Sequence, residues 1–594
     1  MVTKDMKRYI TILVALCVVL FSASAQVTKQ VEVTKEYAPE ISDARKMDIA
    51  PNMVDTITLR PEIDYSITPR SFASALGTHR FNPATVTYWE YKRQYPFYLK
   101  LGAGYPLNTV GDLYASAHRA DVGYITGYIN HYGQYQKLRY INALDGKNYR
   151  DNRSMQMNNT FGVMGGKYFG RYTLAGDLYY RMDSYHRYPL HNEYAEDGTP
   201  ILEYKRRNIG YDDVNLALSF GDSFTDYSHL NFKVYGSANF YNDKSENFIK
   251  DDLYQQMNVK AGLALARELN ARNALSLDVN YEGYYGLQSL KNYKNSLVGA
   301  TVMYRYRSGG LVDLTIGAKL WYDKNPADTK KSDRWHAFPR LILSLNINDK
   351  GSFVPYVEVD GELQNNSYYS LVRRNPYVAI LGGADGSLSA SSIVPNTELY
   401  NVRFGVSGHS ASSKLAYRFY ANMSFMKNAI YWYNISQIFF GVESANRNIW
   451  SLCGAVDYKP ISQLLLTAQV KGTLYTNFAK VEDAMPNVEA MLRARYTHKK
   501  FTLGLSAELY GKTKWTTVQD YTLFLPTTTL PVQTGVFETP VSLDLSVYGD
   551  WHISKTCTVY AEVNNLLGEV MPTYRWAFYR EMGTSFTVGV KVQF

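Results

Sequence analysis

Leu230-Asn231-Phe232-Lys233-Val234-Tyr235-Gly236-Ser237-Ala238-Asn239-Phe240 sets apolar or small residues at every even position against Asn, Lys, Tyr and Ser at the odd ones. An extended chain sends successive side chains to opposite faces, so this stretch has one apolar and one hydrated face. The pattern recurs in Leu275, Leu277, Val279 and Tyr281 against Ser276, Asp278, Asn280 and Glu282. It recurs in Val312, Leu314, Ile316, Ala318 and Leu320, in Leu464, Leu466, Ala468 and Val470, and in Val541, Leu543, Leu545 and Val547. Each segment is about ten residues long, the length a tilted strand needs to cross the hydrocarbon layer of a bilayer.

A half-buried strand of a soluble sandwich has the same period, so the connections must decide. Long ones are expected around 135–155, 183–205, 323–333, 365–397, 428–446, 477–486, 512–540 and 566–583. Short ones fall between them, around Gly165-Gly166, Asn270-Ala271, Ser308-Gly309-Gly310, Asn348-Asp349-Lys350-Gly351, Ser410-Ala411-Ser412, Lys459-Pro460 and His498-Lys499-Lys500. The connection at Tyr105-Pro106 breaks the phase by being short where a long one is due. Short turns at one end and long loops at the other are the habit of a transmembrane barrel, and a soluble repeat has no reason to keep them. The reading predicts an all-β fold, a transmembrane antiparallel β-barrel of about 22 strands over 96–594, with the long loops outside the cell.

The two ends of the chain agree with that compartment. Lys4, Lys7 and Arg8 precede an apolar run from Ile10 to Phe21, and Ala23-Ser24-Ala25 offers a small-x-small site before Gln26. Residues 1–25 therefore read as a signal peptide cleaved between Ala25 and Gln26, and the run is too short to span a bilayer as a helix. Cys17 follows bulky Leu16, so no lipoprotein acceptor is expected. At the other end Phe586, Val588, Val590, Val592 and Phe594 share one face of a last strand. Bacterial outer-membrane barrels resemble this at their C-termini, where a terminal aromatic strand is the signal read by the barrel-insertion machinery. Composition fits: 53 Tyr stand against 25 Phe and 8 Trp, and tyrosine suits a water–lipid interface because its ring is apolar and its tip polar. The net charge of +9 is mild for the length and forms no basic block, so nucleic acid is not an expected partner.

Val559-Tyr560-Ala561-Glu562-Val563-Asn564-Asn565-Leu566-Leu567-Gly568, followed by Arg580, Gly583, Phe586, Gly589 and Phe594, is similar to the closing hairpin of TonB-dependent outer-membrane receptors. Val394-Pro395-Asn396-Thr397-Glu398-Leu399-Tyr400-Asn401, leading through Phe404-Gly405 to Met426-Lys427-Asn428, resembles a recurring barrel segment of that family, as does Arg374-Asn375-Pro376-Tyr377. The departure lies upstream. Those receptors carry a globular plug, whereas residues 26–95 read as an extended, proline-punctuated periplasmic or lumenal arm that resembles arms of Bacteroidota barrels, or else as a disordered linker. Siderophore or cobalamin uptake and energised transport are therefore not carried over. Val31-Glu32-Val33-Thr34 faintly resembles a TonB box but is read as an ordinary extended segment, so no TonB contact is expected.

No catalytic, cofactor-binding or metal-binding set stands out, and no enzyme is expected. Gly382-Gly383-Ala384-Asp385-Gly386-Ser387 lacks a phosphate-binding Lys, and His186 and His191 read as part of a tyrosine-rich loop. Cys453 and Cys557 lie far apart in strand-like segments, without a disulfide framework. The lumen-facing set mixes signs: Lys233, Asp278, Glu282, Asp313, Lys319, Glu358, Asp360, Glu362, Lys471, Asp544 and Glu562. The run Glu358, Asp360, Glu362 fits either a bias toward cations or pairing with lumen arginines. The expected function is a pore or transporter for small solutes in the bacterial outer membrane, porin-like in lacking a plug. The alternative is a plug-less scaffold subunit of an outer-membrane complex, with an outer-membrane or periplasmic protein partner. Outer-membrane lipid and the barrel-insertion machinery are the partners implied by either reading.

Overall fold

The computed structural model describes residues 95–594, apart from 142–147, 188–192, 195–199, 203–207, 225–227, 246–252, 309, 326–333, 348–350, 379–393, 480–484 and 520–531. The expected signal peptide with Ala23, Ala25 and Gln26, the arm up to residue 94 and Val31-Glu32-Val33-Thr34 lie outside the described residues, as do His191 and Asp385-Gly386-Ser387.

Strands pair antiparallel with their chain neighbours around a closed barrel of 22 strands. The first, Phe97–Tyr105, closes the ring on the last, Ser585–Gln593, in a register running from Tyr98↔Gln593 to Tyr105↔Phe586. Closure leaves no edge, so every wall strand has a neighbour on both sides, as a bilayer without water demands. The alternation maps onto the two sides of the wall. In the strand Asn208–Asp222, Leu216, Leu218 and Phe220 are exposed on the outside, with Leu218 at 53%. Row after row of such residues makes an apolar outer band, which belongs in lipid.

Aromatic rings mark both borders of the band. On the short-turn side Phe97 packs on Phe594 with ring centres 4.7 Å apart, Tyr172 on Phe232 at 5.3 Å, and Phe501 on Trp551 at 6.2 Å. On the long-loop side Tyr322 meets Trp335 at 5.1 Å and Phe425 meets Trp450 at 6.1 Å. A closed barrel with an apolar band, two aromatic girdles and loops of unequal length at its ends is a bacterial outer-membrane barrel.

The lumen wall is polar and mostly neutralised pair by pair. Lys319 reaches Asp360 at 2.7 Å, Arg403 reaches Glu358 at 3.0 Å, and Lys591 reaches Asp550 at 2.8 Å. Lys471 and Glu489 lie 3.2 Å apart, Lys260 and Glu282 3.2 Å, and Lys100 and Glu562 3.5 Å. Of the acidic run, Glu358 and Asp360 are thus paired, the latter with Arg340 as well, and Glu362 accepts from Gln364 at 2.6 Å. Pairing, rather than a cation-selective strip, accounts for the first two.

Three expected boundaries are corrected. Gly165 and Gly166 form no turn; they lie inside the strand Asn148–Phe169, and the chain reverses at Gly170, whose φ is +62°. The double glycine serves packing: a Cβ on Gly166 would stand 2.5 Å from the Tyr124 ring of the neighbouring strand. The connection expected at 135–155 narrows to 142–147, because Gly123–Ile141 and Asn148–Phe169 run on through it. The loop expected at 428–446 is a hairpin: Leu415–Ile435 and Phe439–Ile461 stay paired up to Ile435↔Phe439. At 21 and 23 residues these strands far exceed the ~9–11 that cross the hydrocarbon layer. Their upper ends hid from the period because Ala429, Ile430, Tyr431 and Trp432 are all buried, and a strand covered on both faces does not alternate.

Candidate functional site: the mouth of the barrel

The connection after the strand Val354–Gln364 holds a short helix, α1 (Tyr368–Arg374). Ser367 caps its start, accepting from the Ser370 N–H at 3.3 Å. Asn375 ends it: its own N–H returns to the Leu371 carbonyl at 2.9 Å, while its side chain accepts from the Tyr377 N–H at 2.9 Å. Pro376 sits just beyond, where a helix cannot continue. The stretch Arg374-Asn375-Pro376-Tyr377 is therefore a helix stop.

Helix α1 leans on a wall of the barrel far away in sequence. The Tyr369 hydroxyl donates to Asp213 at 3.0 Å, and its N–H donates to Gln256 at 3.2 Å. Tyr368 donates to Asp243, Arg373 to Asp183, and Tyr211 to the Pro376 carbonyl. Burial disfavours charge on Arg373, but the Asp183 carboxylate more than offsets this and pushes its pKa up. On Arg374 burial prevails and the pKa falls, although its guanidinium donates to Asn366 at 3.2 Å. Burial likewise pushes the phenols of Tyr368, Tyr369 and Tyr377 up, so all three stay neutral.

The returning limb is fastened separately. The Asn396 amide donates to both oxygens of Asp323 at 2.8 and 2.9 Å and exchanges hydrogen bonds with Asn295. Asn366 donates to the Pro395 carbonyl at 2.7 Å, and Asn325 to the Val394 carbonyl at 3.2 Å. Val394-Pro395-Asn396, the other stretch singled out in the sequence, is thus the anchor at the far end of the same connection.

From the opposite wall the extended hairpin comes to meet α1. Val378 forms a parallel bridge with Phe440, and the Phe440 N–H donates to the Tyr377 carbonyl at 3.0 Å. The connection 565–584 adds Tyr579, whose ring stacks on Tyr377 at 3.8 Å and whose hydroxyl donates to the Ile438 carbonyl at 2.6 Å. Trp576 sits among Trp432, Phe440 and Trp515 at 5.6–5.7 Å. Trp515 belongs to a second hairpin, Thr513–Gln519 with Gln533–Thr539, tied to the wall hairpin by Asn434↔Thr517 and Ile435↔Val518.

These loops bridge the mouth. Arg187 follows the strand Tyr172–His186, fifth in the barrel, and its guanidinium lies 4.8 Å from the ring centre of Phe439, the first residue of the sixteenth. They stand eleven positions apart round the ring, half of the 22. Phe440, Ala577 and Tyr579 are essentially solvent-free at the centre of this lid, as a domain core would be.

The last strand lies where the sequence put it. Phe586, Val588, Val590 and Phe594 face outward, Val592 shares their side of the strand, and Phe594 and Phe97 exchange two backbone hydrogen bonds of 3.1 Å. His186 ends the fifth strand. Among the described residues no group of three or more His, Cys, Asp or Glu is placed to hold a metal ion. The residues that build the lid, Asp183, Asp213, Asp243, Tyr368, Arg373, Phe440, Trp576 and Tyr579, carried no sequence signal as a group.

No protein-family model matches the chain, and no curated protein matches it in sequence. Solved structures do match. The ferric enterobactin receptor PfeA of Pseudomonas aeruginosa superposes with a TM-score of 0.61 at 12% identity, over 84% of this chain and 80% of that one. The ferripyoverdine receptor of the Pseudomonas aeruginosa outer membrane gives 0.59 at 10% identity, over 85% and 72%. In fold, this chain is an outer-membrane β-barrel like those of the two receptors.

Proposed function

We propose that the chain is a gated conduit for small solutes across the bacterial outer membrane, and that the lid at its mouth is the gate. One observation carries the reading: the mouth is bridged by loops, whereas the wall beneath is a polar surface of paired charges. Loops can move without breaking the barrel, and a hydrated wall suits passage. Residues 26–95 act in this reading as an arm rather than a plug, and the chain works without catalysis, cofactor or TonB. The two fold neighbours are receptors for iron-loaded small molecules, which agrees in scale with such cargo.

The test is single-channel recording in planar bilayers, on the full chain and on a chain without residues 26–95. Current in brief openings from the full chain is the expected result. Silence from both, under all voltages, would remove the conduit reading. A second reading then takes over, favoured by the solvent-free centre of the lid: a permanently closed barrel that serves as a scaffold. It requires a protein partner that stays bound through gentle solubilisation.

A further inference from the structure

Several lysines on this barrel are matched with acids: Lys319 with Asp360, Lys471 with Glu489, Lys591 with Asp550, Lys427 with Glu398 and Lys244 with Asp212. Lys294 and Lys324 differ. Both are exposed, and neither ammonium has an acidic partner among the described residues. Lys294 opens the strand Lys294–Ser308 and Lys324 ends the strand Val312–Lys324, so both stand at the long-loop end of the wall.

Their direction follows from the pleat. On Lys294–Ser308 the outward residues are even-numbered, as exposed Val298 and Val302 show, and on Val312–Lys324 exposed Ile316 and Leu320 set the same parity. Both lysines therefore point away from the lumen, toward lipid. Along each strand the order is the same: aliphatic residues in the band, then the polar border with Ser296 or Tyr322, then the lysine.

Register brings them together. Ser296 pairs with Lys324 and Tyr285 with Lys294, so the two lysines are diagonal neighbours with Cβ atoms roughly 7–8 Å apart. Tyr285 feels the charge of both, and its hydroxyl bonds with those of Tyr281 and Ser296. Trp335, 69% exposed, and Tyr322 form the flanking aromatic border. Two ammonium groups and three hydroxyls thus converge on the outward surface at the height of the outer headgroups.

We propose that Lys294, Lys324, Tyr281, Tyr285 and Ser296 form a binding site for the phosphorylated headgroup of an outer-leaflet glycolipid. Two cations beside hydroxyl donors match a phosphate monoester, and the aliphatic band below receives the acyl chains. The neutral alternative, lysines merely solvated above the bilayer, gives no preference for a phosphorylated lipid.

The full chain is tested by native mass spectrometry from detergent with added bisphosphorylated lipid A. Retention of one lipid A by the unaltered protein is expected, falling at least tenfold in Lys294→Gln/Lys324→Gln and staying in Lys294→Arg/Lys324→Arg. Lys244→Gln, which removes an outward lysine already matched with Asp212, leaves retention unchanged. Enzymatically dephosphorylated lipid A supplies an arm that needs no variant: the unaltered protein holds it at least tenfold less. Equal retention by the double Gln variant, or of the dephosphorylated lipid, overturns the site. Displacement of lipid A by an equal concentration of inorganic phosphate overturns the lipid assignment.

Discussion

Removing the Arg373 guanidinium takes away one of the bonds that hold helix α1 to the wall. Its partner Asp183 is not orphaned, because Asn158 donates to it at 2.6 Å and Arg181 lies 3.1 Å away. The cost of stranding a buried charge, about 3–5 kcal/mol, therefore does not apply. What is lost is a hydrogen bond to a charged group, about 1.5–3 kcal/mol. If the gate opens by releasing α1, Arg373→Gln weakens only the closed state. The open-to-closed ratio then rises roughly 10- to 150-fold, since 1.4 kcal/mol is about tenfold. Single-channel recording reads that ratio as open probability, with heat-modifiable migration on gels as the check that the barrel is folded. Arg373→Lys, which keeps the charge without the planar fork, should fall between the two. A folded Arg373→Gln barrel whose open probability stays within twofold of the parent would refute the gate, because the bond would then be irrelevant to closure.

Gly361→Val should lower the unfolding midpoint by the equivalent of about 1–3 kcal/mol, because its Cβ would meet the Phe338 ring at 2.6 Å and the Leu399 carbonyl at 3.0 Å; an unchanged midpoint in urea would show that the contact yields freely. Trp515→Ala removes a buried ring from the lid, a loss of about 3–5 kcal/mol in a packed core. Trypsin should then cut beside Lys512 or Lys514 at least tenfold faster while the barrel stays intact, and equal cleavage rates would mean that the hairpin is held without this ring. Phe594→Ala should reduce the folded barrel recovered from outer membranes several-fold while shifting its stability only by the loss of one ring pair, about 0.5–1.5 kcal/mol. Normal recovery would remove Phe594 from the insertion signal.

Much of the wall is legible in the amino-acid order alone. The pleat makes side-chain direction strictly local, so Leu230 to Phe240 announces its lipid face without reference to any other strand. The alternation of long and short connections is also local, and it was right in phase even where its limits were wrong. The misplacements have a common cause. Gly165 and Gly166 read as a turn because their reason for being glycine, the Tyr124 ring, lies on another strand. The hairpin around Ile430 to Trp432 read as a loop because burial on both faces erases the period.

What the amino-acid order determines by itself is therefore a closed wall, its lipid face and the end that carries the loops. Those depend on a two-residue repeat meeting a solvent that is lipid on one side and water on the other. The bridged mouth was decided only in three dimensions. Its fastenings join residues 125, 156 and 190 positions apart, Tyr368 to Asp243, Tyr369 to Asp213 and Arg373 to Asp183. In the sequence each of those aspartates is one more polar residue on a polar face; closing the barrel sets that face opposite a loop that starts on another wall, and only then does it become a latch.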